Sequence, residues 1–183
     1  MSQNLSRGSD TLESVTRLFH YDRPVNHVSP LEGLEPQIRN AVRAVVVREG
    51  AVLMQKKWAD ARGTWYTLPG GVQETMEAAL IRECEEEIGT RVQVGALLSV
   101  ADFFKQRDKT FPSVRHVIEF YFACEVEDDY QPASGSHPDK HQVDVVWLPI
   151  AELSEVALFP KDLARHLPSL IKEGAQGYLG VID

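Results

Sequence analysis

A chain of 183 residues, 43% hydrophobic and 25% charged, has the length and composition of one globular domain with a sizeable core. Its formal net charge of −8 argues against nonspecific binding to nucleic acid, which needs a basic face. No apolar run approaches the roughly 20 residues of a membrane span, and the N-terminus Met-Ser-Gln-Asn-Leu-Ser-Arg-Gly-Ser lacks the apolar centre of a signal peptide.

In chain order, residues 1–38 read as an N-terminal arm and 39–183 as the domain proper. Leu12, Val15, Leu18 and Phe19 recur at helical spacing within Thr11–Tyr21, before Pro24, Pro30 and Pro36 interrupt the chain. An apolar helix at a terminus packs on its own domain or on a second copy, so a homodimer is expected. From Arg39 to Met54, two β-branched runs flank Glu49-Gly50 and predict a hairpin. Gln55 to Trp58 extends it, and Thr64–Leu68 predicts a short strand feeding the turn Pro69-Gly70-Gly71.

The stretch from Leu68 to Thr90 carries the chemistry. Thr75 predicts an N-cap and Gly89 a C-terminal stop, with good helix formers between them. At roughly 100° per residue, Leu80, Ile81, Cys84 and Ile88 form one apolar stripe. Glu83, Glu86 and Glu87 share a neighbouring sector, and Glu85 points to solvent. Arg82 lies one turn before Glu86 and can pair with it. A solvated acidic face is the simple alternative, but three carboxylates in one sector repel each other and two border the core. A hard divalent cation relieves that repulsion, and Mg²⁺ suits a few carboxylates plus substrate phosphates. The run Arg82-Glu83-Cys84-Glu85-Glu86-Glu87-Ile88-Gly89-Thr90, with Glu74 seven residues before Arg82, resembles the Nudix box, Gly-x5-Glu-x7-Arg-Glu-U-x-Glu-Glu-x-Gly-U, where U is a bulky aliphatic. Cys84 and Thr90 stand at the two U positions. Only two residues separate Gly71 from Glu74, where the family has five, so the loop before the helix is three residues short. Glu74 is therefore expected near the positive end of the helix dipole, in a partly structural role.

After the helix, Val92–Phe104 predicts a long strand with a bend at Gly95, and Gln106–Pro112 a hairpin loop. Arg115–Val126 predicts the returning strand, 127–140 a long loop, and Val143–Leu148 another strand. A short turn of helix follows Pro149. Lys161–Glu173 predicts a closing helix bent or split at Pro168. The element order matches the Nudix α/β/α sandwich, a mixed β-sheet carrying the helix of the box.

The resemblance implies Mg²⁺-dependent hydrolysis of a nucleoside diphosphate linked to another moiety, of ADP-ribose or nucleotide-sugar type, with Mn²⁺ as a substitute ion. Cleavage of a nucleoside triphosphate is the alternative, and a non-catalytic ligand sensor on the same fold is the rival. Glu83, Glu86 and Glu87 are the expected metal ligands, joined by the carbonyl of Gly70 or Gly71. Glu86 and Glu87 are candidates for the base, and Arg82 orients a glutamate. Trp65 is the candidate for stacking on a base, with Trp58, Tyr66, Phe103 and Phe104 behind it; core packing is the competing reading for each. Lys56, Arg62, Lys105, Arg107 and Arg115 are candidate phosphate contacts, and Arg43, Arg115 and Glu119 candidate substrate contacts. Asp139 and His141 offer a base from the long loop. The expected partner is a small nucleotide, with no nucleic acid and no membrane. Cys84 and Cys124 make no disulfide framework, so a reducing cytoplasm is the expected location.

Overall fold

Two apolar layers, one of them holding both Cys84 and Cys124, lie on opposite sides of one mixed sheet in the computed structural model, which describes residues 33–72, 75–107 and 113–183. The helix expected over 11–21 and the place of Glu74 lie outside these residues. Strands β1 (Arg39–Arg48), β2 (Ala51–Ala59) and β3 (Gly63–Thr67) precede helix α1 (Met76–Ile88). Strands β4 (Gln93–Gln106), β5 (Val114–Glu125) and β6 (Gln142–Pro149) follow, then a 3-10 turn at Ile150–Glu152, helix α2 (Leu163–Glu173) and strand β7 (Gly177–Ile182). The spatial order is β3-β2-β1-β5-β4-β7, with β6 also paired to β2.

The expected β1–β2 hairpin forms, but it is barely zipped. Only Val47↔Val52 and Arg48↔Ala51 pair across it. From Arg39 to Val46, β1 instead runs parallel to β5, while β2 pairs with β3 and β6. The sheet is thus two leaves joined at one corner, β1-β5-β4-β7 and β3-β2-β6. Such splaying follows from strand twist, which accumulates until long neighbours can no longer stay in register.

Helix α1 forms where its signals lie. The Thr75 hydroxyl accepts from the Ala78 N–H at 3.4 Å, and Gly89 closes the far end in the left-handed conformation. Ala79, Leu80, Cys84 and Ile88 are buried against Val42, Ala44, Val46, Leu53 and Cys124. Full burial of a Leu or Ile side chain stabilises by about 1.5–3 kcal/mol, so Leu80→Ala would cost about 2–5 kcal/mol once its cavity is counted. On the opposite face, Leu163, Leu167 and Leu170 of α2 pack on Val45, Met54, Phe103, Val117 and Tyr121. The result is the expected α/β/α sandwich. Pro168 lies inside α2 without dividing it, and the helix starts at Leu163, two residues later than expected.

The sequence pattern does not predict strand β7. Gly177 and Gly180 interrupt its alternation, and both have positive φ. Tertiary pairing with β4 makes the strand where local pattern does not. At the other end, the chain meets the sheet before Arg39: Leu34 bridges to Val114, and the Glu35 N–H donates to the Val114 carbonyl at 2.8 Å.

Candidate active site

The splaying of β1 from β2 leaves an edge of β1 unpaired, and the loop Pro69–Gly71 fills it. The Ala44 N–H donates to the Pro69 carbonyl and the Val42 N–H to the Gly71 carbonyl, both at 2.9 Å. This close seat demands glycine twice. Gly70 has φ +140°, and a Cβ there would strike the Val42 carbonyl. A Cβ on Gly71 would strike the Glu83 carboxylate. The paired glycines therefore let backbone lie between β1 and the acidic face of α1.

On that face the three glutamates expected to share a sector lie in different settings, Glu87 buried and Glu83 and Glu86 partly exposed. Glu87 is 4% exposed. Its Oε2 accepts from the Gly70 N–H at 2.9 Å and from Gln55 Nε2, whose own Oε1 accepts from the Thr67 hydroxyl at 3.1 Å. Burial pushes the Glu87 carboxyl up to about 7; Asp139 and Glu83 add to the shift, and the Gly70 N–H and Arg43 oppose it. Arg82 donates to Glu83 Oε1 at 2.8 Å and to Glu86 Oε2 at 3.1 Å, so one guanidinium ties two carboxylates. Glu85 turns outward to Arg91 at 3.4 Å.

The donor set fits a hard divalent cation. Among the described residues, one oxygen each of Glu83, Glu86 and Glu87 receives no hydrogen bond, and all three groups are acceptors only when ionised. The Gly71 carbonyl takes one N–H, from Val42, and keeps a second lone pair. The three carboxylates are not gathered at one point: among the described residues, no three His, Cys, Asp or Glu side chains are close enough to share an ion. Arg82 supplies the positive charge between Glu83 and Glu86 in this arrangement.

Next to the carboxylates lies a cationic floor. Arg43 Nε and Nη2 donate to Glu119 Oε1 at 3.0 and 2.7 Å, and its Nη1 donates to the Gly70 carbonyl at 3.1 Å. Glu119, expected at the substrate, is 0% exposed, and the Tyr121 hydroxyl donates to its other oxygen at 2.5 Å. Glu119 thus fixes the Arg43 guanidinium and is itself closed off from solvent. Arg115 is drawn elsewhere: its Nε donates to Glu35 at 2.7 Å, and this contact holds the Glu35 carboxyl below its ordinary value. Lys57 is buried and pairs with Asp139 on the long loop. Burial would raise the Asp139 pKa, but the Lys57 hydrogen bond and charge outweigh it and lower it. His141 packs edge-on against Trp65, with ring centroids 5.8 Å apart. Desolvation and repulsion from Arg43 and Arg107 lower the pKa of Lys105.

Gln55 and Lys57 were missed in the sequence. Their signal is parity: both follow buried Leu53 at a spacing of two, so they lie on its face of β2, the face that meets α1. The long loop also closes the far end of α1. Gly135 and His137 N–H groups donate to the Glu87 and Glu86 carbonyls at 3.0 and 2.9 Å, and the Tyr130 hydroxyl donates to the Ile88 carbonyl at 2.7 Å. Gln142 Nε2 donates to the Glu87 carbonyl at 2.7 Å.

Comparison with known proteins adds three findings. A model of the NUDIX domain matches residues 37–170. A MutT-like protein of Streptomyces ambofaciens is 34% identical over 131 residues, which cover 69% of this chain and 74% of that protein. Among solved structures, a NUDIX hydrolase from Nitrosomonas europaea aligns with TM-score 0.56 at 20% identity, covering 80% of this chain and 81% of its own. An ADP-ribose pyrophosphatase from Streptococcus suis aligns with TM-score 0.54 at 15% identity, covering 76% and 97%.

Proposed function

The chain belongs to the NUDIX hydrolase family, and from that premise we propose that it is a Mg²⁺-dependent pyrophosphohydrolase cleaving a nucleoside diphosphate linked to another moiety, of ADP-ribose or nucleotide-sugar type. The observation that carries this reading is one constellation: Glu83 and Glu87 of α1 against a double-glycine loop, with Glu86 tied to Glu83 through Arg82, beside Arg43, Lys57 and Lys105. A pyrophosphate needs cations along its length and a metal at the reacting phosphorus, and both requirements have residues here.

Glu83, Glu86 and Glu87, with the Gly71 carbonyl, would hold the ion, and Mn²⁺ would substitute for Mg²⁺. When bound, the ion neutralises phosphate charge and supplies a more acidic water. Arg82 fixes the directions of Glu83 and Glu86. Arg43, braced by Glu119 and the Gly70 carbonyl, presents a fixed positive charge at the loop. Lys57 holds Asp139 ionised beside the site, with His141 next to it on the loop. Glu87 is the group whose proton affinity is tuned towards neutrality, the range in which a carboxylate accepts a proton best at physiological pH. Trp65, buried on β3 across from Lys57, is the side chain on which the non-reacting part of a nucleotide would stack.

The test is incubation with Mg²⁺ and a panel of ADP-ribose, nucleotide sugars and nucleoside triphosphates, with products identified by mass. A nucleoside monophosphate plus a phosphorylated second product from ADP-ribose or a nucleotide sugar is the expected result. Release of pyrophosphate from triphosphates alone would move the assignment to triphosphate cleavage. No turnover of any member would favour a ligand sensor. The apolar periodicity of residues 11–21 also leads us to propose a homodimer.

A further inference from the structure

Arg62 sits on the turn between β2 and β3, its backbone N–H donating to the Ala59 carbonyl at 3.0 Å. Its guanidinium lies 4.6 Å from the ring centroid of Trp65 and 4.6 Å from that of Phe159. No carboxylate or carbonyl among the described residues receives a hydrogen bond or ion pair from this side chain. A five-donor, weakly hydrated group therefore lies over two aromatic rings and spends none of its donors on the described residues.

Both rings are anchored. Trp65 is 6% exposed, lies in β3 and meets His141 edge-on. The Phe159 N–H donates to the Tyr66 carbonyl at 2.9 Å, and its ring meets Phe103 edge-on with centroids 5.3 Å apart. Arg62 itself is exposed and is held by the rings alone. The fixed parts of this slot are its walls, and the movable part is its occupant.

We propose that the slot between Trp65 and Phe159 receives the base of the nucleotide substrate, and that the Arg62 guanidinium is the occupant the base displaces. This rests on the reading of the substrate as a nucleotide derivative. Three observations carry it. A base is flat, as a guanidinium is, but offers more stacking area and a smaller desolvation cost. The slot lies at the right end of the site: Lys105 is 5.8 Å from the Phe159 ring, and Trp65 is the cross-strand partner of Lys57. Lys57 in turn pairs with Asp139, whose charge reaches Glu87. Walls, cations and carboxylates thus follow one another in the order base, phosphates, metal. The occupant is exposed and makes no hydrogen bond to the described residues, so displacing it breaks none.

The proposal makes Arg62 a competitor of the base, so removing it has a sign. Affinities of the metal-free protein for AMP and for ribose 5-phosphate, which has the phosphate but no base, are measured by calorimetry. Arg62→Ala, a change at an exposed side chain, is expected to tighten AMP by about threefold to tenfold, the equivalent of one cation–π contact, and to leave ribose 5-phosphate unchanged. Phe159→Leu is expected to weaken AMP by about fivefold or more with ribose 5-phosphate again unchanged; a melting curve for each variant confirms the fold. Weaker binding of both ligands by Arg62→Ala would make Arg62 a phosphate contact and overturn the proposal. Unchanged AMP affinity in both variants would overturn it as well. Failure of wild-type protein to bind AMP at all would instead sink the nucleotide reading on which it rests.

Discussion

At the scale of single residues, position on α1 separates glutamates that look alike in sequence. Glu87 is buried against the Gly70 N–H and Glu86 pairs with Arg82, whereas Glu85 pairs with Arg91 at the surface. Glu86→Gln or Glu87→Gln should lower kcat at saturating Mg²⁺ by about 10²–10⁴, and Glu85→Gln should leave it nearly unchanged. Equal losses at Glu85 and Glu86 would mean that this division of roles is wrong. Glu87 adds a linkage prediction. Its carboxyl titrates near 7 in the folded chain against 4.5 for the ordinary group. A raised carboxyl favours the folded state while protonated, so its contribution is complete below about pH 4.5 and is lost as pH rises through about 7. Metal-free Glu87→Gln, which keeps an acceptor for Gly70 and Gln55 but no charge, should therefore flatten the pH–stability profile in that window. At pH 8 it should raise Tm by about 3–6 °C. A Tm equal to or below that of the wild type at pH 8 would show that the ionised carboxylate is well tolerated where it lies.

At the scale of elements, α1 behaves as one piece with the loop that follows β5. The helix has no basic residue in its last turn. Its terminal carbonyls are answered instead by Gly135, His137, Tyr130 and Gln142. Gly135 passes so close that a Cβ there would strike the Glu86 and Glu85 carbonyls. Gly135→Ala should accordingly cost about 1–3 kcal/mol, as overpacking does, and lower kcat as well, since the same loop carries Asp139. Thermal melts and kcat on one preparation test this; a loss of stability with full kcat would separate the loop from the chemistry. What could be read beforehand follows the same division. Helix α1, β3, β5 and the acidic sector were legible because cap, stop and periodicity agree locally. Lys57 and Gln55 were not, because strand polarity becomes informative only once it is known which face meets a helix. The slot between Trp65 and Phe159 was half legible: Trp65 stood out beside the glycine turn, but its partner ring lies 94 residues further on. The early parting of β1 from β2 depends on β5, which no hairpin signal encodes.

At the scale of the whole molecule, a chain of net charge −8 must admit a polyanion. Arg43, Lys57 and Lys105 put positive charge beside the α1 carboxylates, so binding should be sensitive to screening. KM should rise about twofold to fivefold from about 20 to 300 mM salt at constant Mg²⁺, and a KM indifferent to salt would place the phosphates away from this floor. Oligomeric state is a second test at this scale: light scattering at high micromolar concentration should give twice the 20.5 kDa chain mass, and a value near 20.5 kDa would refute the dimer. The clamp of the long loop on α1 bears on a different matter, the freedom of this protein to change over evolutionary time. Surface loops ordinarily absorb insertions and deletions without penalty. Here the span from Tyr130 to Gln142 holds four backbone or side-chain donors in register with one helix end. Lineages descending from this chain should therefore vary in length at other connections and keep this one fixed, as if it were part of the core.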